Sequence, residues 1–130
     1  MYYIESDSTD PRFNLALEQY AFDTLSVEHD VFMLWRNDNA IIVGKHQNTV
    51  GEINAPYVKE KGIRVVRRLS GGGAVYHDLG NVNFTLITRA GDLGAFDFAA
   101  ICRPVVRALG GLGVTVDINR RPGITTDAKK

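Results

Sequence analysis

The sequence predicts an α/β (α+β) chain in which short strands alternate with helices. Three observations predict it. Short apolar runs recur along the chain, and the last of the central ones alternates with a period of two: Val82, Phe84 and Leu86 against Asn83, Thr85 and Ile87. Between these runs lie segments with helix-start chemistry, such as Asp10 before Pro11. Glycine and Asn/Asp clusters separate the segments, as turns do.

In chain order, Tyr2–Glu5 reads as an opening strand. Asp7-Ser-Thr-Asp10 before Pro11 starts a helix with Asp10 as N-cap, running to about Leu25, with Phe13, Leu17, Tyr20 or Ala21, and Leu25 as its buried face. Asn14 and Glu18 fall on another face. Solvent is their default setting, although a helix opening toward a site could use them as braces. Val31–Trp35 and Ala40–Val43 are apolar runs joined by Arg36-Asn-Asp-Asn39, a pattern that predicts a hairpin. Gly44-Lys-His-Gln-Asn48 is a donor-rich loop, in which His46 reads as a surface residue. Asn54–Lys61 is a short helix that Asn54 caps and Gly62 stops.

Ile63–Val66 is a strand that delivers Arg67 and Arg68 to Ser70 and three consecutive glycines, Gly71, Gly72 and Gly73. Ala74–His77 returns as a strand, Asp78–Asn81 turns, and Val82–Thr88 follows, which places the glycines at the tip of two antiparallel strands. Asp97–Leu109 predicts a packed helix bent or restarted by Pro104 and ended by Gly110-Gly111. Val114–Ile118 is a strand, Asn119–Gly123 a turn, and Ile124–Asp127 the start of another strand. The chain stops at Lys129-Lys130 where that strand is expected to continue, so the sequence reads as part of a longer domain.

The totals narrow the function. At 130 residues, 45% of them hydrophobic, the chain reads as a single globular domain or part of one. Fifteen basic residues balance fifteen acidic ones, so no global charge draws it to nucleic acid or to a membrane. Aromatics do not interleave the basic run as a base-stacking platform requires. No apolar run approaches a membrane span, the N-terminus lacks a signal-peptide profile, and a lone cysteine suits a reducing, cytoplasmic setting. Cys102 sits in an apolar pattern and reads as a core thiol.

The chemistry concentrates between Arg67 and Asn83. Glycines let a ligand approach the backbone closely, inward-turned N–H groups make an anion nest, and arginines add charge-assisted bonds to phosphate or carboxylate. The pattern is neither a Walker loop, since no Lys-Ser/Thr pair follows, nor a dinucleotide fingerprint, since a strand follows. Glycines alone indicate a plain loop. The adjoining Arg67, Arg68, Ser70, His77 and Asp78 tip the reading toward a site for a small anion. The outer basic residues, Lys59, Lys61 and Arg64, read as a solvated face.

Three segments carry a resemblance. NLALE at Asn14–Glu18, LWRNDNAIIVGKHQN at Leu34–Asn48 and RRLSGGGAVYHDLGNVNFT at Arg67–Thr85 resemble the lipoate–protein ligase A family, related to biotin ligases and octanoyltransferases. The resemblance implies a mixed, largely antiparallel sheet flanked by helices, of the class II aminoacyl-tRNA synthetase/biotin ligase type. Residues 1–130 would be the N-terminal part of one such catalytic domain, truncated and by itself inactive. It implies activation of lipoate with ATP to lipoyl-AMP, with Mg²⁺. The lipoyl group then passes to a lysine of a lipoyl carrier domain, such as a 2-oxoacid dehydrogenase E2 subunit or the glycine-cleavage H protein.

By resemblance, Arg68 contacts the nucleotide phosphates, and Gly73, Ala74, Val75 and Tyr76 form an adenylate-binding strand. Ser70, Gly71, Gly72 and His77 line the same pocket, while Lys130 bridges lipoate carboxylate and phosphate. Trp35, Val43 and Val75 are candidates for the walls of the lipoate pocket. Pro122 and Gly123 stand where the family has a polar pair, and they offer no side-chain oxygen to a cation. Two other readings stay open: an ATP-independent octanoyl or lipoyl transferase acting through Cys102, and a non-catalytic lipoate- or nucleotide-binding module.

Overall fold

The computed structural model describes residues 1–27, 29–88, 98–119 and 123–126. They fall into two compact units, Met1–Arg89 and Ala90–Lys130. The first contains strands β1 (Tyr2–Glu5), β2 (Val31–Trp35), β3 (Ala40–Val43), β4 (Arg64–Arg67), β5 (Val75–His77) and β6 (Asn83–Ile87), with helices α1 (Pro11–Asp23), α2 (Thr49–Glu52) and α3 (Ala55–Glu60). The second contains helix α4 (Phe98–Gly111) and the strands β7 (Val116–Asn119) and β8 (Gly123–Thr126), which pair antiparallel. No helix among the described residues is long and apolar enough to cross a membrane.

Two three-stranded sheets organise the first unit, in the orders β1-β2-β6 and β4-β3-β5. Each is mixed. Its central strand pairs parallel on one side and antiparallel on the other: β2 with β1 and β6, β3 with β4 and β5. The α/β class with a mixed sheet and flanking helices is therefore present. Two pairings in these sheets are parallel and two antiparallel; with β7–β8 of the second unit, antiparallel pairings among the described residues number three.

Helix α1 begins as its sequence dictates. Asp10 has extended backbone, its carboxylate accepts from the Arg12 amide at 2.8 Å, and Pro11 occupies the first turn. The Arg12 amide and then the Arg64 guanidinium, 3.5 Å away, hold the Asp10 carboxyl below its ordinary range. The helix buries Pro11, Asn14, Leu15 and Ala21. Leu15 joins Met33 and Trp35 of the first sheet and Ala40 and Ile42 of the second in one cluster, so α1 seals both sheets. Leu15, Met33 and Ile42 each contribute about 1.5–3 kcal/mol by leaving water.

Three expectations are corrected here. Phe13 is more than half exposed, and of the alternatives Tyr20 and Ala21 it is Ala21 that is buried; Asn14 and Leu15 complete the buried stripe of α1, with Leu17 and Leu25 partly buried against the core. Strands β2 and β3 do not form a hairpin but belong to different sheets. Their connection is pinned outward: the Asp38 amide donates to Thr9 O at 3.0 Å, Arg64 Nη2 to Asp38 O at 2.9 Å, and Asn39 adopts φ +45° while its Nδ2 donates to Lys61 O at 3.1 Å. Finally, the strands flanking the glycines run in opposite directions but are not neighbours, since β3 lies between them.

Candidate functional site

The loop from Arg68 to Ala74 crosses the end of β3, and two adjacent arginines fasten the ground it crosses. The Arg67 guanidinium grips the segment after β3: Nη1 donates to Gly44 O (2.8 Å), Lys45 O (3.1 Å) and Gln47 O (2.8 Å), and Nη2 to Thr49 Oγ1 (2.7 Å). Arg68 grips the glycine loop. Its Nη2 donates to Gly71 O at 2.7 Å and Gly73 O at 2.9 Å, and its Nη1 to Ile42 O at 3.2 Å. Successive side chains of an extended chain point to opposite sides, which is how neighbours come to hold different loops.

The two loops also touch. Lys45 N donates to Ser70 O at 2.9 Å, and the Gly72 carbonyl lies against Gly44 so closely that a Cβ at Gly44 would overlap it. Glycine is required at 44 for this close approach. At 72 it is required for conformation, with φ +102°. Gln47 completes the seat, its Oε1 accepting from Gly44 N at 2.7 Å. With the carbonyls of Gly71 and Gly73 turned to Arg68 and that of Gly72 against Gly44, the amides of Gly71, Gly72 and Gly73 donate to nothing among the described residues. A row of unpaired donors remains.

Beside this loop lies a cavity of about 290 Å³, near the lower end of small-molecule sites, ~300–1,000 Å³. One part of its wall is apolar, with Leu15, Trp35, Ile42 and Val75; the other is polar, with Arg68, Ser70 and His77. Trp35 is thus both core and wall. Its indole N–H donates to Thr85 Oγ1 at 3.1 Å, and that hydroxyl donates to Glu18 Oε1 at 2.6 Å. Glu18 lines the cavity and Asn14 is fully buried, so the bracing role left open for this helix face is the one the structure displays.

His77 is 7% exposed, and its ring lies 6.1 Å from that of Trp35. Burial first, then the charge of Arg68, lowers its pKa, with Asp78 opposing. The ring is neutral at pH 7. Asn37 Nδ2 meets His77 Nδ1 at 3.2 Å, and Asn37 in turn meets Asn14.

Strand β5 is an edge strand among the described residues, so one side of the backbone at Val75–His77 is open beside the cavity. Alternation puts Val75 and His77 on the cavity side and Tyr76 on the other, where its hydroxyl donates to Asn39 Oδ1 at 3.1 Å. Val43 is buried but does not line the cavity; its neighbour Ile42 does. Lys130, Arg121 and Pro122 lie outside the described residues. Cys102 is 2% exposed, and burial pushes its thiol pKa up.

Gly44, Gln47 and Asn37 were not singled out from sequence. A glycine placed directly after an apolar strand and before a cluster of donors was the available signal for the first two. For Asn37, nothing local marks a loop asparagine that tertiary packing will bury.

Comparison with known proteins gives a consistent pattern. A family model described as the lipoyl protein ligase A/B catalytic domain matches residues 10–130. The chain is 47% identical over 131 residues to the lipoate-protein ligase LplJ of Bacillus subtilis, covering 100% of this chain and 40% of that protein. In structure it is similar to P. falciparum LipL1 in complex with lipoate (TM-score 0.84, 30% identity, 98% of this chain and 41% of that one). It is also similar to a bipartite ligase of Thermoplasma acidophilum studied with its E2 lipoyl domain (0.83, 26%, 97% and 51%). A lipoate-protein ligase A bound with ATP gives 0.75 at 26% identity, with 95% and 49% covered. The chain thus spans about two-fifths to one-half of the length of these proteins.

Proposed function

Because the chain belongs to the lipoyl protein ligase A/B catalytic-domain family, we propose that its cavity and glycine loop hold lipoyl-AMP, formed from lipoate and ATP, as the N-terminal part of one catalytic domain. The observation that carries this reading is the row of unpaired amides at Gly71–Gly73 beside a cavity that is apolar at one wall and cationic at the other. An acid with a long apolar chain and an anionic head matches both walls. Solved relatives described with lipoate and with ATP support the same pair of substrates.

In the first step a lipoate carboxylate oxygen attacks the α-phosphorus of ATP, and pyrophosphate leaves with the electron pair of the broken P–O bond. Fixed N–H dipoles and a cation at the phosphoryl oxygens stabilise the charge that develops there. The Gly71–Gly73 amides and Arg68 take those places, with Ser70 and His77 beside them. Arg68 also fixes the loop through its carbonyls, so it contributes shape as well as charge. The open edge of β5 pairs with the ligand through main-chain groups of Val75 and Tyr76, after Gly73 and Ala74. Trp35 and Val75 wall the acyl chain, and Ile42 takes the place expected of Val43.

In the second step a carrier-domain lysine attacks the acyl carbon as a free amine. AMP leaves, and the amine gives up its proton as the amide forms. Lys130, by resemblance, bridges carboxylate and phosphate. The carriers are lipoyl domains, of which E2 subunits and the glycine-cleavage H protein are the expected examples; a related ligase studied with its E2 lipoyl domain supports this class. No group of three or more His, Cys, Asp or Glu suited to a metal occurs among the described residues. Magnesium would enter with the ATP phosphates, as part of that substrate. A buried thiol with raised pKa is a poor nucleophile, which disfavours a transferase acting through Cys102.

Calorimetry with a hydrolysis-resistant lipoyl-AMP analogue, followed by a crystal of the complex, tests this reading. The adenylate phosphate is expected against the amides of Gly71–Gly73. Ligand bound elsewhere, or no binding, sinks it. With ATP and lipoate the 130-residue chain alone is expected to show binding heat but no sustained pyrophosphate release.

A further inference from the structure

The hydrogen bonds that converge on His77 fix more than its position. An imidazole carries its proton on either nitrogen, and the partner of one nitrogen decides which. Here that decision can be followed back to the main chain. Asn14 places its amide nitrogen 2.9 Å from Ser8 O and 2.8 Å from Arg36 O. Backbone carbonyls only accept, so this end of Asn14 must be its NH₂. Its oxygen faces Ser6 Oγ, the donor, at 2.6 Å.

The same NH₂ lies 3.0 Å from Asn37 Oδ1, so its two hydrogens are shared among three acceptors, and an Asn37 NH₂ in that place would face it donor to donor. Asn37 therefore turns its oxygen to Asn14 and its own NH₂ to His77 Nδ1, 3.2 Å away. An amide NH₂ only donates, so Nδ1 must be the lone-pair nitrogen and the ring proton sits on Nε2. Asn14 and Asn37 are both 0% exposed, so water does not compete for these bonds. Nε2 itself has no partner among the described residues, yet no buried side-chain nitrogen or oxygen there lacks one. It must reach open space, and the space His77 lines is the cavity beside Arg68 and Ser70.

We propose that His77 is a one-way hydrogen-bond donor to the ligand: its Nε2–H, locked in that tautomer by Asn14 and Asn37, points at an acceptor oxygen of the carboxylate or acyl-phosphate head group. The ligand in this statement rests on the acyl-adenylate reading above; the tautomer does not. Asn14 and Asn37 are positioning residues that act through His77. The lowered basicity of the ring keeps it a neutral donor, so it offers a directed N–H without a second cation next to Arg68. A donor of fixed polarity also discriminates, because it accepts an oxygen acceptor and leaves a donor at that point unpaired.

Nitrogen-15 correlation spectra of the histidine rings, recorded on the 130-residue chain above pH 7, test the lock. The expected pattern is a protonated, pyrrole-like Nε2 and an unprotonated Nδ1 for His77. A protonated Nδ1, or averaging between tautomers, overturns the proposal whether or not ligand binds. Asn37→Asp keeps the shape but cannot donate, so it is expected to move the proton to Nδ1 and weaken binding of the lipoyl-AMP analogue about 10–100-fold. An unchanged tautomer in that variant overturns the relay. His77→Gln, which can still present an N–H, is expected to retain more affinity than His77→Ala. If the analogue binds to the wild-type chain without shifting His77 Nε2, the donor role fails while the acyl-adenylate reading survives. If it does not bind at all, that reading fails and takes the ligand half of the inference with it.

Discussion

Two loops meet over the end of β3, each fastened by one of two adjacent arginines. Residues 44–49 are held by Arg67 through three carbonyls and a hydroxyl. The glycine loop is held by Arg68 through Gly71 O and Gly73 O. The bonds are of the same kind, but their surroundings differ. Arg67 is anchored outside the cavity, whereas Arg68 lines it and acts on the titration of His77. Two adjacent arginines beside three glycines therefore have different surroundings. One secures the support, and the other shapes the cradle and presents its charge there.

The largest effect is expected where the loops touch. Gly44→Ala drives a methyl into the Gly72 carbonyl, a backbone atom that cannot rotate away. Overpacking of this kind costs about 1–3 kcal/mol of stability in denaturant titration. Displacement of the glycine loop should weaken the lipoyl-AMP analogue by about 100-fold, or about 2.8 kcal/mol. Unchanged affinity would show that the two loops are independent.

Next comes Arg68→Lys. One ammonium cannot reproduce a fork spanning Ile42 O, Gly71 O and Gly73 O. A loss of about 10–30-fold in affinity is expected by calorimetry, with a smaller fall in stability. Arg67→Lys should invert that ratio. It is expected to lower unfolding stability by about 1–3 kcal/mol while changing affinity less than about threefold. Equal effects of the two variants on binding would erase the distinction drawn between the loops.

The smallest effect sharpens the electrostatic half of the comparison. His77 has its folded pKa depressed below 6.5, first by burial and then by Arg68. Its contribution to stability is therefore complete above pH 6.5 and is lost as pH falls through the folded value. Arg68→Gln should move the His77 titration, followed by NMR, upward and shrink the acid-side loss. Arg67→Gln should leave that titration in place.

Much of this molecule was legible in its sequence. The Asp10–Pro11 start, every strand of the first unit to within two residues, and the concentration of chemistry around the glycines all follow from local rules. Pairing did not follow. The Arg36–Asn39 link has the length and composition of a hairpin, yet Asn14, Arg64 and Thr9 pin it from outside, and those contacts are nonlocal. The buried face of α1 follows only in part: Leu17, Ala21 and Leu25 pack inward, whereas Phe13 and Tyr20 are exposed and a fully buried Asn14 with three backbone and amide partners helps to define the inward side. A polar residue that anchors a helix is invisible to any reading by hydrophobicity.

The clasp made by Arg67 has a further consequence for how the chain breathes. Four bonds from one side chain tie together the segment from Gly44 to Thr49, beside its own Gly44–Gln47 bonds and the one from Lys45 N to Ser70 O. Releasing that guanidinium removes four of these ties at once, so amide-exchange rates there should rise and fall together as a single cooperative patch rather than fraying residue by residue.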